Sequence, residues 1–262
     1  MIHLLKSNLK YTAAVIISIA IFYSCKKDKE VETYTKSASA KIGKGYVYSW
    51  IRTDSEDNPI ALGVTFKKAA LENSSNDSHG AHHNHSNFEM KIPSKAYKTP
   101  FDHIAIGWQA NGHVPFEIYG IPHFDFHFYM ITPEERKLIP SYEADSAKFK
   151  NAPPAEYLPP GYIYPGGGDE QMGAHWIDPT SPEFNGETFT ETFIYGTFDG
   201  KVNFIEPMIT YDFFVNTSDF TREVPRPAKV QITGYYPKKL QIVKSKDDLT
   251  VLLKDFEYRV AE

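Results

Sequence analysis

One segment of the sequence alternates phenylalanine with side chains that can do chemistry, PHFDFHFY at 122–129. Successive side chains of a β-strand point to opposite faces, so one face carries Phe124, Phe126 and Phe128. The other face carries His123, Asp125, His127 and Tyr129. The phenylalanine face is expected to be core. Imidazole, carboxylate and phenol groups on the second face can bind a borderline divalent metal, or act as acids and bases near neutral pH.

Strand geometry limits which of these groups can share one ion. Residues two apart on a strand lie ~6.6 Å apart and residues four apart ~13 Å, whereas a ligating imidazole nitrogen lies ~2 Å from its metal. Asp125 can therefore share an ion with His127 or with His123, but the two histidines cannot share one without a bulge. The remaining histidine can hold the carboxylate by a hydrogen bond. Further ligands must come from elsewhere in the chain.

Three residues outside this strand are candidate ligands. His113 lies in a loop bounded by glycine and proline, His175 lies in MGAHWID, and Glu206 lies in FIEPMIT. A set such as His113, His127 and His175 with one carboxylate suits zinc, copper or iron. His103 is a further possibility, but the adjoining IAIGW is typical of a core strand. The sequence therefore predicts a divalent metal site drawn from His113, His123, Asp125, His127, His175 and Glu206.

The same residues also fit a second interpretation, a buried hydrogen-bonded network that only fixes the fold. The sequence has no GxSxG, P-loop or HExxH motif and no cysteine placed for catalysis. Gly166–Gly168 has no lysine after it and indicates a flexible turn rather than a phosphate site. Asp169 and Glu170 are paired carboxylates, but nothing fixes their separation for a hydrolase of sugars or peptides. Whether any reaction is catalysed stays open.

The elements that must position these residues are mostly strands. Segments 41–51 and 60–71 flank a turn and predict a hairpin, and 101–108 and 123–131 are strand-like. A second hairpin turns at Asp199-Gly200, since such a pair accepts positive φ angles. Three more strands are predicted after it, in AKVQITGYY, KLQIVKS and LTVLLKDFEYRV.

Helix is scarce in the sequence. Thr132, Pro133 and Glu135 form a capping box that predicts one short helix ending at Pro140. Residues 140–175 are rich in proline and glycine and predict a long loop. We therefore expect an all-β fold, a mainly antiparallel sandwich or barrel, with one short helix and long Pro/Gly-rich loops.

Composition supports this class and excludes nucleic acid as a partner. Aromatic residues make up 15% of the chain, with 18 prolines and 16 glycines, which favours short strands and many turns. The formal net charge is −5 and no cluster of lysine and arginine is present, so phosphate-backbone binding is not expected.

The N-terminus predicts export and lipidation. Lys6 and Lys10 precede an uncharged, mostly apolar run, which ends at Ser24 and is followed at once by Cys25, the only cysteine. This run is shorter than the roughly 20 residues of a spanning helix and is typical of a lipoprotein signal peptide, residues 1–24. An uncleaved N-terminal anchor is the alternative. Lys26 in place of aspartate favours an outer-membrane lipoprotein facing the periplasm or the cell surface, held to the membrane by acylated Cys25.

Two further segments complete the predicted organisation. Residues 25–40 are polar and predict a flexible tether, and 41–262 predict a single β domain. An insertion at 72–87 carries His79, His82, His83 and His85 and is expected to be a loop. This loop either collects metal ions or is merely solvated.

Several long motifs resemble a known family. GHVPFEIYGIPHFDFHFYMI, PPGYIYPGGG with MGAHWIDP, and TFIYGTFDGKVNFIEPMIT together resemble secreted prokaryotic proteins with a domain of unknown function, whose structural prototype is a Thermus protein. The likeness runs from about Lys41 to the C-terminus, except for the insertion. It implies a mostly β, exported protein with no assigned activity, and the six candidate ligands fall at family positions. The segment IAIGWQANGH departs from the Asp-Trp-Asn-Pro motif of that family.

Two functions remain open from the sequence. The first is a lipid-anchored envelope protein that binds a metal ion through the His/Asp cluster, with or without a reaction. The second is a non-enzymatic envelope protein, a homo-oligomeric binding or structural module whose histidines are structural and whose small-molecule or protein ligand is not specified.

Overall fold

The computed structural model describes residues 32–42, 44–71 and 88–262. The predicted signal peptide, Cys25 and the His-rich insertion 72–87 lie outside these residues. The described residues belong to one compact unit. Within the described part of the chain, no helix has the length and apolar character needed to cross a membrane.

Fifteen strands are found in the described ranges. In chain order they are β1 (Thr33–Lys36), β2 (Ala40–Ile42), β3 (Gly45–Thr53), β4 (Pro59–Lys67), β5 (Phe88–Lys91), β6 (His103–Gln109), β7 (His123–Tyr129), β8 (Ala174–Trp176), β9 (Glu191–Phe198), β10 (Lys201–Thr210), β11 (Asp219–Glu223), β12 (Gly234–Tyr236), β13 (Lys239–Lys244), β14 (Asp248–Lys254) and β15 (Glu257–Arg259).

These strands form three antiparallel sheets. The first has the order β1-β3-β4-β14-β13-β11, with β2 also paired to β3. The second has the order β5-β6-β7-β10-β9-β8. Strands β12 and β15 form a small third sheet.

The two large sheets pack face to face around a phenylalanine-rich core. The ring of Phe66 on β4 lies 5.6 Å from that of Phe124 and 6.0 Å from that of Phe126, both on β7. Leucine, isoleucine and valine side chains of both sheets belong to the same buried cluster. The predicted all-β antiparallel class is confirmed, and the packing makes it a sandwich.

Both predicted hairpins are present. Strands β3 and β4 pair in antiparallel register, with Ile51 opposite Leu62. Strands β9 and β10 pair across Asp199 and Gly200, whose φ angles are 48° and 78°. Because these angles match the right-handed twist of the flanking strands, the Asp-Gly pair closes a tight turn.

The structure has more helix than the one short segment expected. The α-helices of the described residues are α1 (Lys68–Leu71), α2 (Phe116–Tyr119), α3 (Pro133–Arg136), α4 (Tyr142–Lys150) and α5 (Tyr211–Asn216), and three short 3-10 helices lie at Ser94–Lys98, Ala155–Tyr157 and Pro182–Phe184. Helix α3 is the predicted one, and its capping box is formed: the Glu135 amide donates to Thr132 Oγ1 and the Thr132 amide to Glu135 Oε2. Helix α4 lies where an irregular loop was predicted, so that prediction was wrong. Its sequence, YEADSAKFK, contains neither proline nor glycine, the two helix-breaking residues that are frequent on either side of it.

The end of the predicted tether is also corrected. Residues 33–36 form β1, which pairs with β3. The Tyr34 ring lies 5.3 Å from that of Trp50, and Lys36 Nζ lies 4.5 Å from the centre of the Tyr48 ring. These contacts with the outer face of β3 outweigh the polar composition that predicted a flexible segment.

Strand β7 is buried on both faces along its whole length. Its phenylalanines enter the core between the sheets, as the alternation predicts. Its second face points away from that core, and the turns between β6 and β7 and between α4 and β8 cover it. The polar side chains of this second face are therefore enclosed without being part of the hydrophobic core.

Candidate metal centre

A cleft of about 500 Å³ lies over the second face of β7. Its floor carries Asp125 and His127 from β7 and Glu206 from β10. His113 enters from the turn after β6, and His175 enters from β8. The sheet thus brings together side chains from four separate parts of the sequence.

The first group of ligand atoms is His113, His123 and Asp125. One nitrogen or oxygen of each lies within 4.8 Å of the others. Nε2 of His123 lies 3.2 Å from Asp125 Oδ1, and Nε2 of His113 lies 4.0 Å from the same oxygen. Two ligands each bound at ~2.1 Å around a tetrahedral ion are about 3.4 Å apart, so small movements would complete the geometry.

The second group is His127, His175 and Glu206. Nε2 of His127 lies 3.3 Å from Glu206 Oε1, and Nε2 of His175 lies 3.8 Å from Glu206 Oε2. Their ligand atoms also lie within 4.8 Å of one another. Each group therefore offers two imidazoles and one carboxylate, the donor set of many zinc and non-haem iron sites.

Backbone contacts fix the orientation of the imidazoles in the first group. Nδ1 of His113 donates to the Val114 carbonyl at 2.8 Å, and Nδ1 of His123 donates to the Ile121 carbonyl at 2.6 Å. A ring whose Nδ1 carries the hydrogen presents Nε2 as its lone pair when neutral. The His123 lone pair then faces Asp125 Oδ1 at 3.2 Å, an arrangement that is favourable only with a proton or a cation between the two atoms.

In the second group, a carboxylate takes the place of the backbone carbonyl. Nδ1 of His175 lies 3.7 Å from Asp169 Oδ2. Ligating histidines commonly direct their second nitrogen at a carboxylate, which sets the tautomer and the ring orientation. Asp169 is therefore placed to orient His175 toward Glu206.

The buried carboxylates lack the hydrogen bonds that buried oxygens normally have. Among the described residues, Asp125 Oδ1, Glu206 Oε2 and His123 Nε2 are enclosed and have no hydrogen-bond partner of acceptable geometry. Leaving such groups unsatisfied costs free energy, and more so for charged groups. A cation bound between them would compensate this loss.

The two carboxyls have opposite pKa shifts. Burial by itself would raise the pKa of Asp125, but the facing His123 imidazole outweighs burial and lowers the pKa. Burial likewise opposes protonation of His123, yet the Asp125 charge raises the His123 pKa. Burial, together with the charges of Asp125 and Asp169, raises the pKa of Glu206 well above its usual value.

Strand β6 makes room for Asp125 and holds it. Gly107 lies opposite Asp125 in the β6–β7 register, and a Cβ there would come within 3.1 Å of Asp125 Oδ2. Gln109 Nε2 donates to that oxygen at 2.9 Å. The sequence did not reveal this role of Gln109, although its place on the same face of β6 as Gly107 could have indicated it.

The structure divides the six predicted ligands differently from the set of His113, His127 and His175 with one carboxylate. His113 joins Asp125, whereas His127 and His175 join Glu206. Of the two pairings that strand geometry allowed for Asp125, the structure has the one with His123. On β7, His123 and Asp125 therefore belong to one group, and His127 belongs to the other.

His103 lies outside both groups. It is buried and stacked on Tyr129, with ring centres 4.8 Å apart, and its Nδ1 lies 3.2 Å from Asp102 Oδ1. Tyr129, the fourth residue of the polar face of β7, donates to the Gln171 carbonyl at 3.1 Å. Tyr129 thus positions the loop that carries Asp169.

The chain was compared with known protein families. Residues 54–108 match the TTHB210-like family, described as hypothetical protein TTHB210. Neither the curated proteins nor the solved structures gave a match.

The TTHB210-like match confirms the resemblance to the family with the Thermus prototype over β4, β5 and most of β6. It includes Gly107, which makes room for Asp125. The motifs that carried the resemblance in the sequence, and both ligand groups, lie after residue 108.

Proposed function

We propose that this protein binds divalent metal ions, one in each ligand group, side by side in the cleft over β7. The observation that carries the proposal is the convergence of His113 and His123 on one buried Asp125 oxygen, with Nδ1 of both rings held by backbone carbonyls. The second group repeats the donor set around Glu206. Imidazole and carboxylate ligands suit zinc, copper or iron.

Three protein ligands leave at least one coordination position open on each ion. In zinc enzymes such a position holds water or substrate, whereas structural zinc sites are closed by four ligands. All the ligands except His123 line the cleft, which supports a role in binding or transforming a small molecule rather than in holding the fold together.

The test is elemental analysis of untagged protein that begins at Lys26 and has His79, His82, His83 and His85 replaced by glutamine. These substitutions remove the insertion's histidines without changing its length. We expect about two divalent ions per chain. The number should fall to about one in His127→Ala and in His123→Ala, since each variant lacks one ligand of one group.

His103→Ala is the matched control, because His103 is a buried histidine on the neighbouring strand that belongs to neither group. It should lose stability but keep both ions. A folded protein that holds no metal after dialysis and reloading would overturn the proposal. The histidines would then be structural, and a homo-oligomeric binding or structural module would become the better account.

We further propose that Cys25 is acylated and anchors the protein to the outer membrane. The charged start, the short apolar run and the position of the single cysteine support this assignment. The test is incorporation of labelled palmitate in cells, with membrane fractionation. Cys25→Ser should abolish labelling and release the protein from the membrane fraction; labelling that persists in this variant would refute lipidation at Cys25.

A further inference from the structure

We infer that the metal-loaded cleft binds a small molecule with an anionic head and an apolar body, of the alkyl or aryl carboxylate class. This inference rests on the proposed function, because the head would occupy the open metal positions. Its two parts come from the charge of the cleft floor and from the chemistry of the cleft walls.

The charge of the floor favours an anion. The described lining of the cleft contains three carboxylates, Asp125, Asp169 and Glu206, and neither lysine nor arginine. Two divalent ions would add four positive charges to the three negative ones, which leaves an excess of one. A monoanionic head neutralises this excess, and its oxygens are suitable ligands for the open positions.

The walls favour an apolar body. Beside the ligands, the cleft is lined mainly by apolar side chains, among them Val114, Pro115, Met172, Ile177, Phe184 and Met208. Val114 is 59% exposed, so apolar surface of the lining is open to solvent. Exposed apolar side chains at a cleft mouth are typical of a ligand-binding site.

The polar groups of the cleft are too few for a sugar. Gln109 is already engaged with Asp125, and apart from the histidines assigned to the metal ions the only other uncharged polar side chain in the described lining is Tyr119. A sugar would leave most of its hydroxyls without partners, which is unfavourable. The volume of about 500 Å³ falls among the small-molecule sites of about 300–1,000 Å³.

The test is calorimetric titration of zinc-loaded protein from Lys26 onward with hexanoate, acetate and hexanol. We expect hexanoate to bind at least about tenfold more tightly than acetate, because four additional methylenes are buried against the walls. Hexanol should bind zinc-loaded protein at least tenfold more weakly than hexanoate does, since it lacks the anionic head. Hexanoate should bind metal-free protein at least tenfold more weakly than zinc-loaded protein, since the metal is missing.

Ile177→Ser, at a wall residue that holds none of the ligands, should weaken hexanoate binding severalfold and leave the metal content unchanged. Leu138→Ser is the matched control, because Leu138 is 79% exposed and does not line the cleft; it should change neither quantity. Equal affinities for acetate and hexanoate would overturn the apolar body. Bound metal with no binding of either acid would overturn the inference alone, whereas no metal uptake would overturn the proposed function as well.

Discussion

At the residue scale, two neighbouring carboxyl groups of one cleft are held in different protonation states. His123 favours ionised Asp125, whereas burial and two nearby charges favour protonated Glu206. Environments that separate the pKa values of adjacent acids are typical of functional sites. Metal binding at Glu206 must therefore displace a proton, which links metal affinity to pH.

The raised pKa of Glu206 predicts how the stability of the metal-free protein depends on pH. In the unfolded state Glu206 loses its proton near its ordinary pKa of 4.5, whereas in the folded state it keeps that proton to higher pH. The stability that Glu206 contributes is therefore fully present below pH 4.5 and is lost as the pH rises through the folded-state pKa. Urea unfolding across this range should show the decline, and Glu206→Gln should remove it. An unchanged slope in the glutamine variant would contradict the assignment.

Asp169 is expected to act as a positioning residue for His175. Asp169→Ala should weaken metal binding at the Glu206 group by about 10–100-fold, the usual effect of removing a group that orients a ligand. Binding at the Asp125 group should not change. A competition titration with a chromophoric chelator measures both affinities. Glu170→Ala is the control, because Glu170 is adjacent but does not line the cleft; equal effects of the two variants would refute this role.

At the element scale, the two-residue period of the strands in the second sheet puts core side chains on one face and the candidate ligands on the other. That period is local, so the sequence predicted which residues of β7 share a face. The pairing of the ligands depends on register between strands far apart in the chain, which no local pattern reveals. His127 meets Glu206 because β10 lies beside β7, and His175 reaches Glu206 because β8 is two strands away.

The packing of β9 against β10 predicts an effect of a single methyl group. A Cβ on Gly196 would lie 2.0 Å from the ring of Phe204, whose centre is 4.9 Å from that of His127 and 5.4 Å from that of His175. Gly196→Ala should therefore reduce the free energy of unfolding by about 1–3 kcal/mol and weaken metal binding at the Glu206 group.

Thr132→Ala is a suitable comparison for this variant. It removes the helix cap of α3 and should cost about 1 kcal/mol without changing metal affinity. Denaturant unfolding and metal titration of both variants separate a local displacement of Phe204 from a general loss of stability. Unchanged metal affinity in Gly196→Ala would show that Phe204 does not set the histidine positions.

At the scale of the whole molecule, composition and alternation predicted the antiparallel β class and both hairpins. Packing between the sheets, which selects a sandwich over a barrel, involves residues such as Phe66 and Phe124 that are distant in sequence. Strand β1 was missed because its stability comes from Trp50 and Tyr48 on β3 rather than from its own composition.

Because the ligand groups exist only in the folded sheet, metal should stabilise the whole domain. A single ion at a hundred times its dissociation constant contributes about 2.7 kcal/mol. For a domain of this size that amount raises Tm by about 5–10 °C. Thermal unfolding with and without zinc measures the shift, and the double variant His123→Ala, His127→Ala should show none. A shift that persists in the double variant would place the stabilising ions elsewhere.

The burial of β7 on both faces has a consequence for how this protein can diversify. Substitutions at the phenylalanine positions are constrained by the opposite sheet, whereas substitutions at the histidine and aspartate positions are constrained by the cleft. The two sets of residues interleave along one strand, yet each contacts a different environment. Natural variants can therefore change the histidine and aspartate positions while keeping the same scaffold, and a protein with this fold need not share the chemistry proposed for this cleft.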